Sequence, residues 1–354
     1  MKNIIKASII FSVIFFFVKC SFPSAAVSAP GDFMAAVWNI QAFFDGIEDG
    51  NEYEEYTEAA GWTHEKYQAR LLAISQAILQ MESAEAVPDL IGLVEVENQG
   101  VLDDLSSGTL SKHAYNWNAF ANLPGSSLGV GVLSRHPIKN MIAHSITMEK
   151  DTAPRPVLEV RVEPRGKPLV FFICHWKSKL GKDTEDLRRA SARVIQRRLS
   201  EIASTEPETP VIVMGDLNEN HDEFYRTQEL CALLPDDQNA ASLASIGRKD
   251  FLVLSSEKPP RSEFFSGEVE PLYTPWGAEL IKGSYYYKGE WETIDHFLLS
   301  KALFGSSPWR FSDCRVLDQE PFTTTKGVPS PYVHRTGRGL SDHLPLILYL
   351  KYVE

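Results

Sequence analysis

The amino-acid sequence predicts an α+β fold, an α/β architecture in the broad sense, in which sheet packs on sheet and helices cover the outside. Three observations predict it. Short apolar runs recur and each ends in a polar cluster, strands outnumber helices, and several strands follow one another through short turns. This pattern is typical of packed sheets, because each sheet must bury an apolar face against another layer.

The predicted strands are short apolar runs bounded by polar residues, as is typical of buried strands. They are Phe33–Trp38, Leu90–Val94, Gly129–Leu133, Val157–Val162, Leu169–Cys174, Val211–Met214, Ile294–Leu299 and Leu344–Tyr349. Two further segments, His64–Met81 and Thr184–Ile202, have apolar residues at helical spacing. Asp183 or Thr184 can cap the second helix.

The domain organisation is predicted to be simple. The chain has 354 residues, 44% of them hydrophobic and 23% charged, which is ordinary for a soluble globular protein. This length admits one large domain or two small ones. Because the strand pattern runs through the chain without an internal repeat, we predict one domain over residues 31–354. The acid-rich stretch Gly46–Gly61 and the polar, irregular stretch Asp236–Pro271 interrupt it like insertions.

Residues 1–26 are typical of a secretory signal peptide. Lys2 and Lys6 give a positive start, the apolar run Ala7–Val18 is too short for a comfortable membrane span, and small residues up to Ala26 suit cleavage. Cys20 leaves a lipid-modified N-terminus open, and an uncleaved anchor is a third alternative. We therefore expect a secreted or periplasmic protein, attached to a membrane only if Cys20 carries a lipid.

The charge of the mature chain limits the class of partner. Removal of the predicted signal peptide removes three lysines and changes the formal net charge from −12 to −12 − 3 = −15. An acidic surface repels polyanions, which argues against tight, non-specific binding to long DNA. A nuclease is not excluded, because a bound metal reverses the local field. The sequence indicates no protein partner, and we expect a monomer.

The cysteines of the mature chain do not form a disulfide framework. Three remain after removal of the signal peptide, an odd number. Cys174 lies in an apolar run and is expected to be a buried thiol. A bridge between Cys231 and Cys314 stays open in an oxidising compartment.

Polar side chains with catalytic chemistry lie mainly at the ends of the predicted strands. They are Asn39, Glu95, His175, Asp216, Asn218, Asp342 and His343, while Asp295 lies inside a strand. The carboxylates and amide oxygens form the oxygen-rich set that Mg²⁺, Mn²⁺ or Ca²⁺ prefers, and no Cys/His spacing indicates zinc. Histidines can donate to phosphate or move protons near neutral pH, and a carboxylate such as Asp295 can orient His343.

Taken in order, these motifs resemble the endonuclease/exonuclease/phosphatase superfamily, also called DNase I-like, from Phe33 to Leu350. The motifs are Ile-Gly-Leu-Val-Glu at 91–95, Gly-Val-Gly-Val-Leu-Ser at 129–134, His-Trp-Lys-Ser at 175–178, Gly-Asp-Leu-Asn at 215–218, Ile-Asp-His at 294–296 and Ser-Asp-His at 341–343. Each alone is weak, but six in order are specific. The resemblance implies a four-layered sandwich of two mixed β-sheets packed face to face with helices outside.

The resemblance also implies roles for the site residues. Asn39, Glu95 and Asp342 would surround the principal metal. Asp216 and Asn218 would orient the attacking water or hold a second metal. His343, paired with Asp295, would act as general base or phosphate contact, and His175 would stabilise the transition state or assist the leaving group. Arg155 and Ser178 are candidate substrate contacts, although Ser178 can also simply support its loop.

Two further groups of residues have alternative interpretations. Tyr285–Tyr287 with Trp291 is expected mainly in strand and core packing, with base stacking as the alternative. Arg189, Arg193 and Arg197 share a helix face that can meet phosphates or pair with nearby acids.

These features together favour an exported, divalent-metal-dependent endonuclease acting on DNA or RNA. A phosphodiesterase or phosphatase acting on lipids or small phosphate esters is the alternative with the same core. The intact motifs argue against a binding module that has lost catalysis.

Overall fold

The computed structural model describes residues 32–82, 86–148, 154–182, 184–245, 249–265, 269–305 and 307–354. Two large mixed sheets pack face to face, and helices cover both outer faces. The predicted four-layered α+β sandwich is thus confirmed. The predicted signal peptide over residues 1–26, with Cys20, lies outside the described residues.

The first sheet has six strands and the second has eight. The order of the first is β15 (Trp309–Val316), β16 (Leu346–Tyr352), β1 (Phe33–Phe43), β2 (Leu90–Val96), β4 (Gly129–Ser134), β3 (Trp117–Ala121). The order of the second is β5 (Ile138–His144), β6 (Val157–Val162), β7 (Leu169–His175), β8 (Val211–Asp216), β14 (Asp295–Leu299), β11 (Leu272–Tyr273), β10 (Leu252–Ser255), β9 (Leu233–Pro235). A separate hairpin joins β12 (Tyr285–Tyr287) to β13 (Glu290–Glu292).

Helices form the outer layers. They are α1 (His64–Leu79), α2 (Gln99–Ser107), α3 (Thr184–Thr205), α4 (Glu223–Thr227) and α5 (Gln238–Ala244). Ile74 and Ile78 of α1 pack on the first sheet, and Ile195 and Leu199 of α3 pack on the second. The two predicted helices are confirmed as α1 and α3, and all eight predicted strands are present with small changes at their ends.

The central layer lies between the sheets and follows from the twofold period of a strand. In β1, Ala35 and Val37 face the second sheet, whereas Ala36 and Trp38 face the outer helices. The sheets approach closely at Gly92, where an added Cβ would lie 2.7 Å from Cε of Met214. Glycine thus sets the local distance between the two sheets.

The prediction that Asp236–Pro271 is an irregular insertion is wrong in part. This stretch contains α5 and β10, and β10 belongs to the second sheet. By contrast, Gly46–Gly61 adds no strand and forms only two short 3₁₀ turns, Glu54–Tyr56 and Glu58–Ala60. Short strands such as β10 are hard to predict, because polar neighbours hide an apolar run of four residues.

The three described cysteines, Cys174, Cys231 and Cys314, are free and buried, so the bridge left open between the last two is not formed. Cys231 and Cys314 belong to different apolar clusters. Within the described ranges, no helix has the length and apolar character needed to cross a membrane.

Gly215 should be essential for stability because of its backbone. It has φ of 142°, and an added Cβ would lie 2.0 Å from the carbonyl oxygen of Cys174 on the neighbouring strand. We expect Gly215→Ala to lower the free energy of unfolding by at least about 2 kcal/mol, through strain and clash together. The measurement is urea unfolding.

Gly125→Ala is the matched control for this prediction. Gly125 also has positive φ, 76°, but an added Cβ would meet no atom within 4 Å. Gly125→Ala should lower the free energy of unfolding by only about 1 kcal/mol, the cost of placing an alanine at positive φ. Equal losses in the two variants would contradict the role of the clash.

Candidate active site

Three predicted site residues lie in one row across the end of the second sheet. The parallel register of β7 and β8 pairs His175 with Asp216, and the antiparallel register of β8 and β14 pairs Asp216 with Asp295. All three side chains are buried. The register therefore brings together residues from three separate parts of the sequence, and the backbone ladder fixes their directions.

The first sheet supplies the facing half of the site. Asn39 lies in β1, Glu95 lies in β2, and Asp342 and His343 lie in the segment before β16. Nδ2 of Asn39 donates to Oε1 of Glu95 at 3.2 Å and to Oδ2 of Asp216 at 3.1 Å. The Asn39 amide thus connects the two sheets directly at the centre of the site.

His343 and Asp295 form a buried pair. Nδ1 of His343 lies 2.7 Å from Oδ2 of Asp295, and the same oxygen accepts a hydrogen bond from the Ser284 hydroxyl at 2.6 Å. Trp38 donates from its indole to the carbonyl oxygen of His343 at 3.0 Å. Burial opposes the charged imidazole, but the Asp295 carboxylate outweighs burial and holds the pKa of His343 well above its usual value. The Asp295 carboxylate therefore favours the protonated imidazole, which can donate to a phosphate oxygen.

His175 has the opposite electrostatic character. Burial, and then the charges of Arg155 and His343, hold the pKa of His175 well below its usual value. Its Nε2 lies 3.8 Å from Oε1 of Glu95 and 3.9 Å from Oδ2 of Asp216, too far for hydrogen bonds. Nδ1 is buried and has no hydrogen-bond partner among the described residues. The site thus places one neutral and one charged histidine beside the same acid.

Asp216 and Asn218 are joined by a tight turn. The backbone N–H of Asn218 donates to Oδ1 of Asp216 at 2.9 Å, and the Asn218 side-chain amide donates to the carbonyl oxygen of Trp176 at 3.1 Å. Asn218 has φ of 52°, the left-handed region that asparagine tolerates better than most residues. The Gly-Asp-Leu-Asn motif therefore fixes the turn as well as supplying the acid.

The set of acids at this site fits a hard cation. Burial, and then the charge of Asp295, raise the pKa of Asp216 to about 7, and burial raises the pKa of Asp342. Ligand atoms of Asp216, Asp295 and His343 all lie within 4.8 Å of one another. Buried carboxylates that resist ionisation in this way are stabilised by a cation among their oxygens.

Asn39 differs from its predicted arrangement. Its Oδ1 accepts from the backbone N–H of Gln41 at 3.0 Å, and its amide nitrogen faces Glu95 and Asp216. The side chain thus offers a donor to the carboxylates, whereas a metal ligand must offer an oxygen. Glu95 and Asp342 retain carboxylate oxygens for that purpose.

The two predicted substrate contacts, Arg155 and Ser178, have different surroundings. Nε of Arg155 donates to the carbonyl oxygen of Leu128 at 3.2 Å, and its charge acts on His175. It is therefore held at the edge of the site. The Ser178 hydroxyl accepts from the backbone N–H of Leu180 at 3.2 Å, which gives it a role within its own loop.

Two contacts of the His343–Asp295 pair were not predicted, because Ser284 escaped the sequence analysis and Tyr285 was expected in strand and core packing or in base stacking. Ser284 bonds to Asp295, and the ring of Tyr285 stacks on the ring of His343 with centroids 4.5 Å apart. Gly283 and Ser284 precede the tyrosine run without any motif, so the sequence offers no signal for them. Their position follows from an isolated bridge that pairs Tyr285 with His343.

A family model described as the Endonuclease/Exonuclease/phosphatase family matches residues 34–246, more than half of the chain. The chain belongs to this family. It is therefore a hydrolase of a family that acts on phosphate esters and generally depends on a divalent cation, in agreement with the acidic cluster. A comparison with curated protein sequences finds no match.

Solved structures with the same fold include TDP2 from Caenorhabditis elegans, with a TM-score of 0.53 and 12% identity over 90% of this chain and 74% of that chain. D. rerio TDP2 complexed with single-strand DNA product has a TM-score of 0.51 and 15% identity over 90% of this chain and 99% of that chain. An endonuclease/exonuclease/phosphatase family protein from Bacteroides thetaiotaomicron has a TM-score of 0.50 and 14% identity over 91% of this chain and 98% of that chain. Identities this low show a shared fold alone.

Cation binding should strengthen as pH rises through the pKa of Asp216. Burial raises the pKa of this carboxyl to about 7 in the folded protein, against a usual value of 3.8, and its negative charge beside the candidate ligand Glu95 favours a bound cation. For the same reason Asp216 makes the metal-free protein less stable as pH rises between these values. Calorimetry should therefore find tighter Mn²⁺ binding at about pH 8 than at about pH 5.5.

Asp216→Asn tests the assignment, because an amide does not titrate. The variant should bind Mn²⁺ more weakly and with a flatter dependence on pH. Wild-type affinity that is equal at both pH values would contradict the prediction.

His343 and Asp295 should act as a unit in catalysis. We expect His343→Ala and Asp295→Asn each to slow turnover by about 10²–10⁴-fold, because the first removes a positioned donor and the second removes the carboxylate that orients and charges it. The double variant should lose little more than either single variant. The test is a double-mutant cycle on kcat, and losses that multiply in full would show that the two residues act independently.

Proposed function

We propose that the protein is an exported, divalent-metal-dependent nuclease that hydrolyses phosphodiester bonds in DNA or RNA. The observation that carries the nucleic-acid assignment is an aromatic hairpin set directly on the catalytic histidine. A nucleotide brings a flat base next to its phosphate, whereas lipid headgroups and sugar phosphates do not.

The hairpin of β12 and β13 is fixed to the catalytic pair at its base. Ser284 bonds to Asp295, and the N–H of Leu344 donates to the carbonyl oxygen of Ser284 at 2.8 Å. Tyr285 covers one face of the His343 ring. Tyr287 lies beyond it, nearly parallel to Tyr285, with an interplanar angle of 14° and centroids 6.0 Å apart.

The exposure of the hairpin supports a role in binding. The expected strand is present and Trp291 packs against the core, but the expected core packing is wrong for Tyr286 and Tyr287, which are 38% and 39% exposed. Tyr286 turns to the other side and packs against Trp291. Tyr287 therefore continues the aromatic surface of Tyr285 outward, and each base stacked on such a surface contributes about 1–3 kcal/mol.

The cations near the site are few. Arg155 and the exposed Lys177 act on His175 and can meet phosphates beside the scissile one. On α3, Arg189 is bonded to Asp250 at 2.8 Å, and Arg197 lies 3.9 Å from Glu201. Because Arg189 and Arg197 pair with acids, these two arginines of the α3 face add little to phosphate binding. Affinity for long polyanions should be modest and sensitive to salt.

The chain's own residues divide the work of hydrolysis. Imidazolium His343, held by Asp295, donates to a phosphate oxygen. Asp216, fixed by the N–H of Asn218, orients the attacking water. Neutral His175 donates a hydrogen bond from its ring N–H to the leaving oxygen, and Arg155 binds a neighbouring phosphate. Mg²⁺, with Mn²⁺ or Ca²⁺ as alternatives, would be held by Glu95 and Asp342 and would polarise the phosphate and stabilise the leaving oxygen.

Export is part of the proposal and rests on residues 1–26. Cell fractionation and N-terminal sequencing of the mature protein test it directly. A mature chain that begins after Ala26 supports a soluble exported protein, whereas a chain that begins at lipid-modified Cys20 places it on a membrane. A cytoplasmic protein that retains Met1 would contradict export.

The substrate assignment predicts cleavage of plasmid DNA, single-stranded DNA or RNA with Mg²⁺ or Mn²⁺ at low salt. Activity should fall as NaCl rises, because phosphate contacts release counterions, and should vanish after EDTA treatment. The same panel includes sphingomyelin and a small phosphate ester. Strong hydrolysis of either, with no nuclease activity under any of these conditions, would move the assignment to the alternative phosphodiesterase or phosphatase.

Tyr287→Ala should raise KM for a short oligonucleotide about 5–150-fold, the equivalent of about 1–3 kcal/mol of stacking. Replacing the base beside the scissile phosphate with an abasic residue should produce a similar loss, and combining both changes should add little.

Tyr286→Ala is the matched control, since this side chain has similar exposure but faces Trp291. Its KM should stay near the wild-type value. Equal effects of the two tyrosine substitutions, or full additivity of Tyr287→Ala with the abasic change, would exclude stacking at Tyr287.

A further inference from the structure

A buried arginine of α1 donates hydrogen bonds to the end of β1 beside the site. Arg70 is 2% exposed, and within the described parts of the chain no carboxylate lies within ion-pair distance of it. Nη1 donates to the carbonyl oxygen of Ala42 at 2.8 Å, and Nη2 donates to those of Ile40, at 2.7 Å, and Gln41. Three consecutive backbone carbonyls thus accept from the two terminal nitrogens of the guanidinium, whereas its Nε has no hydrogen-bond partner among the described residues.

Aromatic rings enclose the same guanidinium. It lies 3.8 Å from the ring centroid of Tyr332 and 5.1 Å from that of Phe43. Cation–π contacts of this kind are strongest where water is excluded. They hold the guanidinium plane in place, so that its hydrogen bonds have one geometry.

The backbone that Arg70 holds is strained. Gln41 and Ala42 have φ of 52° and 51°, and the pairing of β1 with β2 shifts register between Asn39 and Phe43. Two consecutive left-handed residues other than glycine cost about 1–2 kcal/mol each. This bulge persists because its three carbonyls have a fixed donor.

Each residue predicted to hold the cation contacts this bulge. The N–H of Gln41 donates to Oδ1 of Asn39, and the N–H of Ala42 donates to Oε2 of Glu95 at 2.7 Å. The Gln41 side chain accepts from the N–H of Asp342 at 3.1 Å. The orientation of all three therefore depends on a backbone conformation that α1 maintains from the outer layer.

We propose that Arg70 is a positioning residue for the divalent-cation site, acting through the left-handed bulge at Gln41 and Ala42. The inference rests on the proposed metal-dependent function. Arg70 does not touch substrate or cation. It holds the carboxylates of Glu95 and Asp342 in the geometry that a cation needs, from the helix layer that covers the first sheet.

The test is Mn²⁺ binding to metal-stripped protein, measured by calorimetry, beside thermal unfolding without metal. Arg70→Met keeps the apolar stem and removes the donors, and its Kd should rise about 10–100-fold, as for other residues that orient metal ligands. Arg70→Lys restores the charge but cannot reach three carbonyls together, so it should recover only part of the affinity.

Two further variants keep the test decisive. Arg198→Met removes an arginine bonded to Glu159 at 2.9 and 3.0 Å, away from the bulge, and should alter stability without changing the Kd. Gln41→Ala leaves Arg70 intact and removes the contact with Asp342, so it should also weaken Mn²⁺ binding, and it decides the matter if Arg70→Met does not fold.

Unchanged Kd in folded Arg70→Met, or in Gln41→Ala when Arg70→Met does not fold, would overturn the proposal. Full recovery of affinity in Arg70→Lys would also overturn it, because charge alone would then suffice. Wild-type protein that binds no divalent cation would instead remove the metal premise itself. Binding is measured without substrate, so an error in the substrate assignment leaves this result unaffected.

Discussion

The candidate active site depends on one hydrogen bond, between Nδ1 of His343 and the carboxylate of Asp295. Asp295 belongs to the second sheet, and His343 precedes a strand of the first. The bond therefore joins the two halves of the site and sets the charge on the imidazole at the same time. Ser284 and Tyr285 are placed by contact with the same pair, so the position of the aromatic hairpin follows from it as well.

Much of the fold could be predicted, because strands buried on both faces are apolar throughout and end abruptly in polar motifs. The edge strands of the two sheets could not be predicted from the sequence. β5 and β15 expose part of their length and carry charged residues, so they lack the continuous apolar run that identified the central strands. The predicted site residues at strand ends come together, since neighbouring strands end at the same edge. Their partners at long range, such as Ser284 for Asp295, depend on register that no local pattern encodes.

Aromatic residues gave the least reliable prediction, for a physical reason. Tyrosine suits both a buried core and an exposed binding surface, because one end of its ring is apolar and the other is polar. Only the pairing of β12 with β13 and its bridge to His343 decide which surface each ring faces. Arg70 presents the same difficulty. An arginine in a helix of mixed polarity is expected at the surface, and the carbonyls that satisfy it belong to a distant strand.

The close contact of Gly92 with Met214 links the packing between the two sheets to the geometry of the candidate site. Glu95 follows Gly92 on one sheet, and Asp216 follows Met214 on the other, so the thickness of the layer between the sheets also sets the distance between these two acids. The apolar side chains between the sheets hold them at a fixed distance. A larger residue in this layer would push the sheets apart, so it would alter the geometry of the candidate site as well as the stability of the fold.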